Sequence, residues 1–207
     1  MRIPRFLVLL SLATFALCAA SFADSPFNFA AFGTGDIGHT DTFPTSPAGP
    51  FSLTAWGFSA DGVNTDLWYK ADGGDETGLG LSNDTVDHEI QGSSFLEFTT
   101  AHVTTITIGS VQSGESWAIY GSNSIGTRGT TLLASGTTDV PPPAGGLNLA
   151  AIDSGWTYVS LFAPTGNILL DGANAAPPAV PEPSTPAFIL TLGLIGLFEI
   201  GRRKLTA

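Results

Sequence analysis

The chain has 207 residues, which is enough for one domain with a substantial hydrophobic core. It contains 18 acidic and 7 basic residues and has a formal net charge of −11 at neutral pH. An acidic chain of this kind repels phosphate backbones, so nucleic acid is excluded as an expected partner. The single cysteine excludes a disulfide framework within the chain.

The first predicted element is a secretory signal peptide in residues 1–23. An apolar run in residues 6–20 follows two arginines and is followed by small residues, which is typical of such a signal. We expect a helix here, export through the Sec machinery, and cleavage by signal peptidase between Ala23 and Asp24. A cut after Ala20 is the alternative.

Residues 24–172 are predicted to form an all-β domain. Helical periodicity is almost absent, and short β-branched or aromatic runs recur between turn-forming residues. Many short strands with frequent turns are typical of an antiparallel β-sandwich with Greek-key or jelly-roll topology. The predicted strands lie near Phe27–Phe32, Phe51–Phe58, Asp66–Tyr69, Phe95–Thr100, Val103–Ile108, Trp117–Tyr120, Thr131–Ala134, Thr157–Phe162 and Asn167–Leu170.

Two of these strands carry more specific predictions. Leu96 and Phe98 alternate with Glu97, which predicts a half-buried strand with the carboxylate on the solvent side. A slip in the apolar alternation predicts a β-bulge near Thr104–Thr105. Because strands are predicted at both ends of the domain, we also expect its two ends to lie close together.

The domain is strongly acidic and offers a candidate calcium site. Between residues 24 and 180 the chain has 16 acidic and 2 basic side chains, a net charge of −14. Calcium takes six to eight oxygen ligands on a flexible loop, and acidic side chains are densest from Asp61 to Glu89. The loop lacks EF-hand spacing, and Asp and Gly also build ordinary turns, so no metal is required. The candidate calcium ligands are Asp72, Asp75, Glu76, Asp87 and Glu89.

Two aromatic residues beside this loop suggest an alternative function. Trp68 and Tyr69 could stack on a sugar ring, as in a carbohydrate-binding module, and packing in the core is the competing interpretation. The sequence has no nucleophile elbow, P-loop or dinucleotide fingerprint, and no carboxylate pair is singled out for sugar hydrolysis. We therefore expect a non-catalytic protein, with a secreted hydrolase as the third interpretation.

The C-terminal region has three parts in a fixed order. A proline-rich linker in residues 173–186 precedes an apolar segment in residues 187–201 and a basic tail in residues 202–207. A helix of the apolar segment would span roughly 22 Å, which is short for a hydrocarbon core of roughly 30 Å. Snorkelling basic side chains would close part of this gap and keep the tail in the cytoplasm. The basic stop consists of Arg202, Arg203 and Lys204.

The proline motif Pro181-Glu182-Pro183 with Ser184, the Gly/Leu-rich run Leu192–Leu197 and the basic stop follow one another over about the last 28 residues. In this order they resemble the PEP-CTERM sorting domain. The resemblance implies recognition by an exosortase and export in a Gram-negative bacterium that makes exopolysaccharide. We expect a transiently membrane-anchored protein that reaches the envelope, surface or matrix as a structural or adhesive component, with polysaccharide as a candidate partner. An ordinary membrane anchor is the alternative. The sorting motif consists of Val180, Pro181, Glu182, Pro183 and Ser184.

Overall fold

The computed structural model describes residues 25–47, 49–74, 76–137, 146–152 and 155–176. All of them belong to a unit that comprises Met1–Pro177, and a second unit comprises Pro178–Ala207. The predicted signal peptide with its cleavage site, the sorting motif, the apolar segment and the basic stop lie outside the described residues. Within the described ranges, no helix is long and apolar enough to span a membrane.

Short strands make up nearly all of the regular structure in these ranges. Fifteen strands, one 3₁₀ helix (η1) and one single-turn α-helix (α1) follow one another. In chain order they are β1 Ser25–Pro26, η1 Phe29–Phe32, β2 Gly35–Gly38, β3 Thr40–Pro44, β4 Ser52–Phe58, β5 Asn64–Thr65, β6 Leu67–Ala71, β7 Thr77–Leu81, β8 Ile90–Gln91, β9 Phe95–Thr99, β10 Val103–Gly109, β11 Ser116–Ser122, β12 Thr131–Thr137, β13 Leu147–Asn148, α1 Leu149–Ile152, β14 Tyr158–Thr165 and β15 Asn167–Ala175.

The strands form two antiparallel sheets. Sheet I has the order β13-β10-β15-β7-β6-β2, and β1 and β8 also pair with β15. Sheet II has the order β12-β11-β14-β9-β4-β3, and β5 also pairs with β4. The predicted all-β antiparallel sandwich is therefore confirmed.

The core lies between the two sheets because alternate residues of each strand turn inward. On β4, Leu53 and Ala55 are fully buried, whereas the intervening Thr54 is only partly so. Both sheets contribute to a single apolar cluster. Its fully buried members include Phe43, Leu53, Leu96, Phe98, Ile119 and Leu161 from sheet II, and Leu67, Leu79, Leu81, Ile106, Ile168 and Leu170 from sheet I.

One continuous segment provides a central strand to each sheet. β14 lies between β11 and β9 in sheet II, and β15 lies between β10 and β7 in sheet I. The chain changes sheets at Gly166, which has φ +73° and approaches Glu115 so closely that a Cβ would lie 2.2 Å from its Cγ. The Glu115 carboxylate accepts hydrogen bonds from the backbone N–H of Gln112 (2.5 Å) and of Asn167 (3.1 Å).

The two ends of the described domain lie side by side, as expected. β1 pairs with the end of β15, with Ser25 opposite Ala175. The backbone N–H of Ala176 then donates to the His102 carbonyl at 3.1 Å. The last strand thus extends three residues beyond the predicted domain boundary at residue 172.

Two local predictions were wrong and one is confirmed. The apolar run Phe27–Phe32 is not a strand, because residues 29–32 form η1 and its Phe29 ring packs edge-on against Phe43 at 5.0 Å. The half-buried pattern predicted for β9 was also wrong, since Glu97 has no exposed surface and the strand is covered on both faces. The register shift between Val103 and Thr105 confirms the predicted bulge.

We expect Gly57→Ala to destabilise the domain by about 1–3 kcal/mol, because a methyl group there would overpack the space between the sheets. Its Cβ would lie 2.5 Å from the Thr65 carbonyl oxygen and 2.8 Å from Leu81 Cδ2. Gly172→Ala is the matched control, since the nearest atom to its Cβ would be at an ordinary 3.7 Å. Urea unfolding compares the two variants, and equal stabilities would contradict this packing.

Candidate functional site

Two of the predicted metal ligands meet at a buried lysine on the outer side of sheet I. Lys70 Nζ on β6 donates to Glu76 Oε2 at 2.5 Å and to Glu89 Oε1 at 2.6 Å. The Ser110 hydroxyl oxygen, just after β10, lies 3.0 Å from an oxygen of each carboxylate and can donate its single proton to either one. We call these four residues the Lys70 cluster. It joins the β6–β7 hairpin to the loop before β8 and to the end of β10.

The electrostatics of the Lys70 cluster follow from unequal burial of its two carboxylates. Hydrogen bonds from Lys70 lower the pKa of the more exposed Glu76 to about 2. Burial raises the pKa of Glu89 to about 7, since this side chain is almost inaccessible to water. Burial alone would lower the pKa of Lys70, but the hydrogen bonds and charges of both glutamates outweigh it and raise this pKa. The lysine therefore stays charged, and Glu89 titrates near neutrality.

The lysine ammonium occupies the position between the two carboxylates that a cation would take. Asp72 Oδ2 lies 4.0 Å from Nζ, and Asp87 accepts a hydrogen bond from Asn167 instead. Asp75 lies outside the described residues. Among the side chains that are described, no three His, Cys, Asp or Glu residues are placed to hold a metal ion. The calcium site stays a prediction.

The aromatic pair predicted for ligand stacking is divided between the two faces of β6. Trp68 faces outward, stacks on the His88 ring at a centroid distance of 3.7 Å, and lines a cleft of about 180 Å³ together with Lys70. Tyr69 packs against the apolar core from the other face. One face of the indole is thus already covered by a histidine, and the two rings do not form a joint platform.

One member of the Lys70 cluster and one residue next to it have left-handed backbone conformations, which are uncommon for residues other than glycine. His88 has φ 56° and Ser110 has φ 58°. The His88 backbone packs so closely against Gly80 that a Cβ there would lie 1.9 Å from the His88 carbonyl oxygen. Strained backbone held in place by its surroundings is frequent at functional sites, which makes the cluster and its cleft a candidate site.

A second candidate site lies on the outer face of sheet II, where sequence analysis placed nothing. Cross-strand pairing sets Glu97 between Trp56 and Ser160, with Tyr120 following Ser160 on the next strand. Directly opposed residues share one face of a sheet, so these four side chains form a row. The row lies beneath the β11–β12 connection, which we call loop 123–130.

Glu97 is fully buried in this row and ties it to the loop. Its Oε2 accepts a hydrogen bond from the backbone N–H of Gly126 at 2.7 Å. Within the described residues, neither Oε1 nor the hydroxyl of Ser160 has a hydrogen bond of good geometry. Burial raises the pKa of Glu97 to about 7, although the Gly126 bond and the nearby Ser160 hydroxyl favour the charged form.

A cavity of about 560 Å³ is lined by Gly126, the residue that bonds to Glu97, and we call it the sheet II cavity. Phe95 lines it from β9, and the turn at residues 60–62 and loop 123–130 form its sides. Arg128 also lines this cavity, and its guanidinium lies over two rings of sheet II, 4.2 Å from the centroid of Phe162 and 5.1 Å from that of Tyr120.

The sequence contained weak signals for this second site. Glu97 stands in a strand pattern that normally marks a solvent-facing residue, so its burial depends on a loop far away in the sequence. Arg128 is one of only two basic residues between residues 24 and 180, and its rarity was the available signal.

Comparison with family models, curated proteins and solved structures found no match for the chain.

We expect Lys70→Met to lower the free energy of unfolding by about 3–5 kcal/mol near pH 8, because it leaves Glu89 buried without its cation. Adding Glu89→Gln in the double variant should recover part of this loss, since the amide carries no charge. Urea unfolding measures all three proteins. A double variant no more stable than Lys70→Met would argue against the assigned electrostatics.

Glu97 should make stability depend on pH, with a definite sign. The pKa of Glu97 is about 7 in the folded protein and 4.5 in the unfolded chain. In the pH window between these two values, the folded state holds a proton that the unfolded state has lost. The free energy of unfolding should therefore fall as pH rises through this window.

Glu97→Gln should flatten this dependence and stabilise the protein above neutrality by about 1–3 kcal/mol. Glu89 titrates in the same direction and is retained, so a residual slope is expected. Unfolding measurements near pH 5 and near pH 8 provide the comparison. Identical slopes for wild type and variant would show that Glu97 does not titrate as described.

Proposed function

We propose that the protein is exported across the inner membrane and sorted by its C-terminal signal to the cell envelope, surface or extracellular matrix. There it acts as a non-catalytic structural or adhesive component. The proposal rests on the signal-like N-terminus and on the order of proline motif, apolar segment and basic stop at the C-terminus. Signal peptidase, the Sec machinery and an exosortase are the partners it requires, and polysaccharide is a candidate partner.

The single structural observation that supports this proposal best is the pairing of the first and last strands. β1 begins at Ser25, two residues after Ala23, and pairs with the end of β15. Cleavage after Ala23, or after Ala20, would leave every residue of β1 in the mature chain. β15 ends at Ala175, so the whole sheet precedes the proline motif in sequence. Removal of either signal would leave the sandwich intact.

The proposal includes details of the fold beyond the two sheets. It assigns a signal helix to residues 1–23 and a short transmembrane helix to residues 187–201. It also assigns Greek-key or jelly-roll topology to the sandwich. The pairing of β14 with β9 and of β15 with β7 supports that topology, because it joins strands that are distant in the chain.

A carbohydrate-binding module is the second candidate function. Its support is the outward-facing Trp68 at the cleft of about 180 Å³, beside Lys70 and Asp72. A glycan array tests it: binding lost in Trp68→Ala would support this function, whereas binding unaffected by the substitution would exclude Trp68 as the contact. A structural calcium ion and hydrolase activity stay as lesser alternatives, and turnover of any polysaccharide would contradict a non-catalytic role.

The sorting motif can be separated from simple membrane anchoring. Replacing Pro181, Glu182 and Pro183 by alanine keeps the apolar segment and the basic stop. We expect this variant to stay in the inner-membrane fraction while wild type proceeds to the envelope or medium, because exosortase recognition is lost. The measurement is immunoblotting of fractionated cells.

The matched control replaces Pro177 and Pro178 by alanine, which changes the same linker outside the motif. This control should be distributed like wild type. If the motif variant is also distributed like wild type, the C-terminus is an ordinary anchor or is not read at all, and the sorting proposal fails.

A further inference from the structure

The described domain carries only two basic side chains, and they differ in their partners. Lys70 is held by Glu76 and Glu89. Arg128 forms no ion pair with any carboxylate of the described residues, although acidic side chains far outnumber basic ones. Its guanidinium is thus the one cationic group in this part of the chain that is available to an anionic ligand.

Arg128 is held in place before any ligand arrives. The faces of Phe162 and Tyr120 support its guanidinium by cation–π contact, which leaves the N–H edges of the planar group for hydrogen bonds. Loop 123–130 is fixed on both sides of Arg128. Gly126 bonds to Glu97, and Gly129 passes so close to the Gly121 carbonyl that a Cβ would lie 2.0 Å from its oxygen.

The sheet II cavity combines this cation with groups that suit a polyhydroxylated ring. Its volume of about 560 Å³ lies within the range of small-molecule sites. Asp61, oriented by a 2.6 Å hydrogen bond from Ser59, supplies acceptor oxygens, and Ser93, Thr127 and Thr130 supply hydroxyls.

We propose that the sheet II cavity binds an acidic sugar residue, such as a hexuronate at the end of an oligosaccharide, through a bidentate contact between its carboxylate and Arg128. Arginine forms two parallel hydrogen bonds with a carboxylate. Asp61 accepts from the sugar hydroxyls but repels a compact inorganic anion, so the ligand must separate its charge from its hydroxyl groups. This site is independent of the export proposal and of Trp68.

The test uses oligosaccharides of glucuronate, galacturonate and mannuronate, each beside its carboxyl-reduced neutral counterpart. Isothermal titration with wild-type protein should give tighter binding of at least one acidic form, by about tenfold or more over its counterpart. Arg128→Gln should remove this preference, and Arg128→Lys should keep only part of it because an ammonium lacks the planar fork.

Ser52→Asp is the charge-matched control. It changes the net charge by the same one unit at an exposed position on the opposite end of β4 from loop 123–130, and it should bind like wild type. Failure of every acidic oligosaccharide to bind, equal binding of the acidic and neutral forms, or an undiminished preference in Arg128→Gln would each overturn the assignment.

Discussion

Both sheets depend on one continuous segment, Tyr158–Ala175, which changes sheets at Gly166. Without β14 and β15, each sheet would be divided at its centre and would expose new strand edges. Glu115 ties the crossing to the β10–β11 loop, because its carboxylate accepts backbone hydrogen bonds from Asn167, just after the crossing, and from Gln112 in that loop. Because β1 also pairs with β15, the segment joins the beginning of the described domain to its end. The other strands of each sheet lie on either side of β14 or β15.

The position of this segment in the chain gives the fold its relation to the proposed export. The central strands come last and pair with β7, β9, β10 and β11, which lie far away in the sequence. Non-local pairings of this kind form late, after the chain has paid the entropy of loop closure. A domain that closes with its final strands stays open while it is being made. That order would suit the proposed export, in which the chain crosses a membrane before it folds.

Strands with a clear alternation of β-branched or apolar residues could be predicted from the sequence. Strands whose formation depends on contacts with distant residues could not. β10, rich in Thr, Ile and Val, and even its bulge were predictable from the alternation. β7 has the sequence TGLGL, and glycine is more typical of turns than of strands. Here the two glycines allow the backbone to approach the His88 carbonyl and β15 closely. The acidic region was recognised, but the convergence of its two glutamates, Glu76 and Glu89, on Lys70 was not. The burial of Glu97 and the cavity at Arg128 require tertiary contacts with loop 123–130, which no local pattern encodes.

We propose that this acidic sandwich, which buries a carboxyl group of raised pKa on each sheet, works outside the cytoplasm and is delivered there by removable signals. The most direct test is the intact mass of the protein from each cell fraction. We expect the protein recovered from the membrane, envelope or medium to begin at Asp24, one residue before β1. Recovery of the full chain from the cytosol, with Met1 and Ala207 both retained, would contradict the account.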